Sequence, residues 1–397
     1  MVAPRASLDA ILGFAWSSGV FVSDDAMEAT GHTRTTTIDA LDELIAMGLL
    51  RELANARAAG SYSKGRPARR FELRAESGVV IGVDAGRAHL TVTVADLRGL
   101  TLASETTELD VTHDAPDERR SAIVAAIASA LDAAERDRGA VLAICVAVPA
   151  PVDGRGHSPE HRDGFWRRMN PDLIELLDSW APIVRVENDA SLAAVAEGSV
   201  GSARTSGDYV VLLAGERFGA GVVIDGHLLR GAHGGAGETV AFDHIVGVGS
   251  ADGLGTRLTD WVRAADIPVG HPLFGVATER LTGRAVLDLS RDGDAWSHQF
   301  VHSAGLVLAR IAAVFGSLYN PQRIIVAGAI AEGLDEVIEV ARTQLPLELD
   351  LPAPELLLST LGSTSVVTGA VSAAIEAARR GVLQLPEYAN APRRTRL

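Results

Sequence analysis

The chain has 397 residues, 47% hydrophobic and 22% charged, enough for two or three domains with sizeable cores. A single cysteine, Cys145, excludes an internal disulfide and any multi-cysteine metal site, and suits a reducing interior. The net charge of −15 argues against broad affinity for nucleic acid, so any phosphate contact has to be local.

The first 75 residues read as helices followed by a hairpin. "SLDAILGFAWSSG" puts Leu8, Ile11, Leu12 and Ala15 on one helical face, with Ser7 as the expected N-cap. "SDDAMEATG" is a short helix capped by Ser23 and ended by Gly31. "HTRTTTIDALDELIAMG" is a longer one, capped by Thr33, buried through Ile38, Leu41, Leu44 and Ile45, and stopped by Gly48. Short helix, glycine turn, longer helix is the helix-turn-helix layout. The start of its second helix, Thr33, Arg34, Thr35 and Thr36, is where base edges and phosphates would be met. "LLRELA" and "ARRFELR" read as two strands around "NARAAGSYSKGRP", a wing whose Arg66, held extended before Pro67, could enter a minor groove. Residues 49–74 hold seven cations against Glu52 and Glu72, a basic patch on an acidic chain. The plain alternative is a three-helix protein-interaction domain with a solvated basic loop.

The rest alternates strands and helices. "GVVIGVDAGRAHLTVTVADLRG" is strand, glycine turn, strand. "DYVVLLAGERFGAGVVIDGHLLRG" repeats that plan about 130 residues later, with an Asp225-Gly226 hairpin turn. Between them lie a helix near Pro116 to Asp137, a strand Val141 to Val148, a helix opened by Asn170-Pro171, and the strand Ile183 to Glu187. Helices near Ser250 to Ala264, Asp294 to Tyr319 and from Asp335 follow. The strands Ile324 to Ala327 and Leu356 to Leu358 alternate with them, and the helix Val366 to Arg379 comes last. The pattern implies two α/β lobes with a ligand cleft between them. The expected domains are 1–75, the winged helix-turn-helix; 78–189, the first lobe, completed by the C-terminal helix 366–380; and 190–365, the second lobe, with the sugar cleft and a dimerisation surface. No apolar run reaches the ~20 residues of a membrane helix, the closest being interrupted by Arg310. Asp9 argues against a secretory signal in the N-terminal "ILGFAW", so the expected place is the cytoplasm.

A winged helix followed by "GVDAG", "VPAPVDG", "VENDASLAAVAEG", "GAGVVIDGHLLRGAHGGAGE" and "IIVAG", in this order, resembles the ROK family of sugar kinases and sugar-responsive repressors. The resemblance covers nearly the whole chain and implies a two-lobed actin-like ATPase (ribonuclease H-like) sugar-kinase-type fold. In family kinases the Asp of "END-A" deprotonates the attacking sugar hydroxyl, its Asn neighbour binds sugar, and the Glu of "AGE" holds sugar hydroxyls. Asn188, Asp189 and Glu238 stand at those positions, and such side chains suit polyols because each can satisfy two hydroxyls. The plain alternatives are a helix N-cap for Asn188 and Asp189 and a solvated loop acid for Glu238.

Other family features are altered. The first phosphate loop, Asp-x-Gly-x-Thr in the family, is Asp84, Gly86 and Ala88, with Arg87 inside it. The second reads "AGERFGAG", where Glu216 would repel a γ-phosphate, Arg217 and Phe218 add bulk, and Gly219 remains. The third, Ala327-Gly328, fits either a nucleoside contact or simple strand termination. Ala241 stands at the family's zinc-histidine position and no cysteine follows, so no zinc is expected and His244 reads as a lone histidine.

Phosphoryl transfer needs the triphosphate and metal to be positioned and neutralised. The resulting expectation is a sugar-responsive DNA-binding transcriptional regulator, a repressor, with kinase chemistry and cofactors lost and Asp189 holding an effector. Its partners would be operator DNA, a sugar or sugar-phosphate effector and a second copy, as a homodimer or dimer of dimers. The alternatives are an ATP- and magnesium-dependent sugar kinase that also regulates transcription, and a DNA-binding scaffold that has lost effector control.

Overall fold

The computed structural model describes residues 5–54, 68–110 and 115–389. At the N-terminus, α1 (Arg5–Ser17), β1 (Phe21–Val22), α2 (Ser23–Thr30), α3 (Arg34–Ala46), β2 (Leu50–Leu53) and β3 (Arg70–Leu73) form a three-helix unit with a sheet ordered β1-β3-β2. Ser7 is not a cap; it lies inside α1 and is buried. Ser23 is the first residue of α2, where the Asp25 carboxylate accepts from the Val22 N–H at 2.9 Å, taking over the expected cap. Gly31, at φ 69, ends that helix, and Thr33 caps α3 by accepting from the Thr36 N–H at 3.4 Å. β2 and β3 pair as the sides of the wing. Its tip, with Arg66, lies outside the described residues.

The first lobe runs through β4 (Val79–Ala85), β5 (His89–Asp96), β6 (Thr101–Glu108), α4 (Pro116–Ala133), β7 (Val141–Val148), α5 (Phe165–Met169), α6 (Leu173–Leu177) and β8 (Ile183–Asn188). Its sheet is ordered β6-β5-β4-β7-β8, with β4, β7 and β8 parallel. The second lobe repeats the plan. α7 (Asp189–Ser199) leads to β9 (Tyr209–Leu213), β10 (Gly219–Ile224) and β11 (His227–Leu228), then α8 (Leu254–Ala264), α9 (Gly283–Arg291), α10 (Ala295–Tyr319), β12 (Arg323–Ala327), α11 (Asp335–Gln344) and β13 (Glu355–Leu358). Its sheet order, β11-β10-β9-β12-β13, matches the first position for position. Finally α12 (Ser365–Gly381) returns to the first sheet against β4 and β7, and α13 (Pro386–Ala389) follows.

Burial explains this arrangement. One face of the first sheet is sealed by Ile123 and Ile127 of α4, and the other by Val366, Ala370 and Ala374 of α12. α7 lies between the lobes, against α12 on one side and β9 and β10 on the other. The helices cross very closely: a Cβ on Gly369 would come within 1.8 Å of the Leu192 carbonyl oxygen, so only glycine fits there. At 25 residues α10 is long and apolar enough to cross a membrane, contrary to the sequence count. Its Val301, Ala304, Leu308 and Ile311 are nevertheless buried in the second-lobe core.

Candidate functional site

The parallel strands of the first lobe deliver their C-terminal ends to the cleft. Asp84 of β4 pairs with Ala147 of β7, and Ala147 with Glu187 of β8, so Asp84 and the Asn188-Asp189 pair open at the same edge of the sheet. Asn188 is the N-cap of α7: its Oδ1 accepts from the Ser191 N–H at 3.0 Å, and its Nδ2 donates to Ala150 O at 3.2 Å and to Asp189 Oδ1 at 3.1 Å. Both amide protons are therefore committed within the protein, and one carbonyl lone pair remains for a ligand. Asp189 Oδ1 also accepts from the Ala190 N–H at 2.7 Å. Burial pushes the Asp189 carboxyl up to about 7, the charges of Asp84 and Glu238 adding to the rise while the Ala190 bond opposes it.

Glu238 comes from the second lobe. It forms a bridge with Gly219 at the start of β10, next to the bond from the Ala220 N–H to Gly237 O at 3.1 Å. Although the residue is exposed, its carboxyl is recessed enough that desolvation raises its pKa, against the charges of Arg217 and His161. The loop is tied back to the first lobe by Arg230, whose guanidinium donates twice, at 3.0 and 3.1 Å, to the buried Glu187. The structure thus brings Asn188, Asp189 and Glu238 to one cleft.

The phosphate loops are contacted by the protein's own side chains. His89 Nε2 lies 3.1 Å from Asp84 Oδ2, and that bond raises the imidazole pKa. The ring also covers Gly86, where a Cβ would meet it at 2.4 Å. Buried Arg119 donates to the carbonyls of Ala85 and, at 3.0 Å, Gly86, holding the turn from behind. Arg87 of this loop and Glu216 of the second form a cross-lobe pair at 4.0 Å, and Arg217 pairs with Asp252 at 3.7 Å. Phe218 corrects the sequence reading. It adds no bulk to the cleft, because its ring is buried in the second-lobe core beside Phe242, while its N–H donates to Ala251 O at 2.8 Å. Gly328 leaves β12 at φ 95 and begins a 3-10 turn over Ala329–Gly333.

On the N-terminal unit Thr33, Arg34 and Thr35 are exposed and Thr36 partly so. Among the described residues of the basic patch, three cations are paired. Arg69 is taken by Asp42 at 2.7 Å and Glu52 at 2.8 Å, Arg51 by Glu72 and Glu76, and Arg74 lies 3.7 Å from Glu76. In the segment where the family's zinc module would fall, Ala241 and His244 lie on an exposed 3-10 turn. Among the described residues no three His, Cys, Asp or Glu side chains are grouped to hold a metal. The space within the following loop is filled instead by the Arg257 guanidinium. Sequence reasoning missed Arg119, Arg230 and Arg257, whose partners lie far along the chain or are backbone carbonyls, and His89, although its partner Asp84 lies only five residues away.

Two α/β lobes of identical strand order, with a crossing helix pair behind the cleft, define an actin-like fold. Residues 80–245 match the ROK family. It is 26% identical over 309 residues to the DNA-binding transcriptional dual regulator NagC of Escherichia coli (strain K12), covering 75% of this chain and 73% of that protein. It is 22% identical over 357 residues to the Xylose repressor of Bacillus spizizenii, covering 88% and 89%. Among solved structures it superposes on a ROK family transcriptional regulator homologous to the E. coli Mlc protein, with a TM-score of 0.76, 20% identity, and 96% and 98% covered. It also superposes on a ROK family glucokinase from Streptomyces griseus in complex with glucose and AMPPNP, with a TM-score of 0.62, 24% identity, and 75% and 100% covered.

Proposed function

We propose that this protein is a sugar-responsive DNA-binding transcriptional repressor, acting in the cytoplasm as a homodimer on a two-fold operator. The observation that carries the reading is a division within one cleft. The acids suited to grip a polyol keep free acceptor capacity, whereas His89 covers Gly86 in the first phosphate loop and Glu216 of the second is paired with Arg87. An exposed hydroxyl-rich helix start and a wing on the same chain supply the means of meeting DNA. Relatives named N-acetylglucosamine repressor, Xylose repressor and transcriptional repressor Mlc support the same reading. In it, Asp189 accepts a hydrogen bond from an effector hydroxyl.

A second reading, a kinase that also regulates, is favoured by one feature: a carboxyl near pKa 7 beside the cleft is suited to taking a proton. Incubation with ATP, magnesium and a hexose panel separates the two, since turnover at roughly 1–100 s⁻¹, the usual kinase range, would establish the second.

The first reading is tested on operator DNA selected in vitro, with affinity followed by fluorescence anisotropy. Arg34→Ala is expected to weaken binding by roughly 1–3 kcal/mol, the scale of one specific base or phosphate contact. Asp189→Ala is expected to leave sugar-free DNA affinity intact and to abolish release by sugar. A variant at 189 that binds DNA poorly without sugar would overturn the assignment.

A further inference from the structure

The family resemblance brings with it a zinc ion beside the sugar site, and the residues here do not fit one. Ala241 offers no ligand, His244 stands exposed and alone, and the loop over residues 245–253 contains no cysteine. The same loop converges on a different cation. Arg257, buried on α8, donates from Nε to Asp252 O at 2.7 Å, from Nη1 to Val248 O at 2.9 Å, and from Nη2 to Ser250 O at 2.6 Å and Ser250 Oγ at 2.9 Å. A metal cannot share that space, because the guanidinium protons already point at the carbonyls from inside the turn. A planar fork of five donors is the side chain suited to satisfying several orphan carbonyls at once.

What the loop holds gives this arrangement its consequence. Ala251 O accepts from the Phe218 N–H at 2.8 Å, and Phe218 O in turn accepts from the buried Thr239 hydroxyl at 2.6 Å. Ala251 N–H donates to Asp243 Oδ1 at 3.0 Å, on the 3-10 turn Val240–His244 that follows. Two hydrogen-bonded routes therefore run from the loop around Arg257 to the residues directly after Glu238. We infer that Arg257 is a positioning residue for effector binding, holding by four hydrogen bonds the loop that fixes Glu238 in the cleft. The inference rests on the proposed sugar response for its functional half.

The experiment uses the full-length chain, with wild type, Arg257→Ala and Arg257→Lys compared in two arms. Hydrogen exchange of peptides covering residues 215–253 needs no ligand. Arg257→Ala is expected to exchange at least tenfold faster there while peptides from α3 and α12 stay unchanged, and Arg257→Lys to fall between. Uniformly faster exchange, or no change, would overturn the positioning role. In the second arm, D-xylose, D-glucose, N-acetylglucosamine and N-acetylmannosamine are titrated by calorimetry. The sugar that binds wild type is expected to bind Arg257→Ala at least tenfold more weakly, with DNA affinity within twofold and no effect of 1,10-phenanthroline on wild type. Undiminished sugar affinity in Arg257→Ala, or its loss from wild type on chelation, would overturn the inference. If wild type binds none of these sugars while the exchange arm gives the expected pattern, the sugar-response reading fails, and the functional half of the inference with it, but the loop assignment stands.

Discussion

Desolvation raises the proton affinity of Asp189, and the charges of Asp84 and Glu238 across the cleft add to the rise. The Asp189 carboxyl ionises near 3.8 in an unfolded chain and only near 7 in the fold. Between those values the folded state holds a proton that the unfolded state has released, so this group lowers stability as pH rises, in full above 7. Asp189→Asn keeps an acceptor toward Ala190 and removes the charge. It is expected to match wild type in thermal melts at pH 3.5 and to exceed it at pH 8 by about 1–2 kcal/mol, less than the full ~1.4 kcal/mol per tenfold of proton affinity because solvent screens the cleft mouth. A wild type as stable as the variant at pH 8 would refute the assignment. The convergence of Asn188, Asp189 and Glu238 on one cleft was legible because short ordered motifs carry them. Arg119 was not: it reaches a carbonyl 33 residues away, and nothing in a local window marks that. Phe218 was misread because the direction of a single side chain depends on the core behind it.

Elements followed the same logic of local signal against distant context. The strands β4, β7, β9 and β12 are fully or almost fully buried and rich in Val and Ile, so they stood out as apolar runs. β6, with the sequence TLASETTE, is exposed and hydroxyl-rich, and went unread because its order comes from pairing with β5, including Thr93 to Ser104 at 2.8 Å. α9 was missed as well, although it is amphipathic and Thr282 caps it by accepting from the Ala285 N–H. The crossing of α7 and α12 could not be read from either helix alone, since Gly369 looks like a weak point in a helix until Leu192 is seen against it. Gly369→Ala is therefore expected to destabilise the chain by about 1–3 kcal/mol through overpacking, although alanine is the better helix former. Urea unfolding measures it, and a neutral or stabilising result would mean that the two helices can part without cost.

At the scale of the molecule, the N-terminal unit is welded to the first lobe. Trp16 Nε1 donates to Leu97 O at 2.8 Å, Arg98 donates to Ser18 O at 2.6 Å and Ala15 O at 3.4 Å, and Arg5 reaches Leu383 O at 2.7 Å. One apolar cluster runs from Ile11 and Leu12 of α1 through Ala374 and Ala378 of α12 to Leu192 and Ala194 of α7, and α7 begins at Asp189. A rotation of the first lobe about the cleft therefore carries the DNA-facing helix with it. In a two-fold reader, whose half-sites are spaced by one helical turn or a multiple, a small rotation is enough to spoil the fit. Coupling of about 1–3 kcal/mol between effector and operator would then appear as a roughly 5–150-fold change in DNA affinity. Arg98 sits in the β5–β6 turn, away from both the cleft acids and the exposed start of α3. Arg98→Ala is expected to keep sugar binding, and sugar-free DNA affinity within a few-fold, while shrinking the sugar-induced change in DNA affinity toward none. Anisotropy titrations with and without sugar measure this directly. If Arg98→Ala retains the full change, the Arg98 bonds are not what turns the reading head, and the Trp16 and Arg5 bonds or the apolar cluster carry the signal.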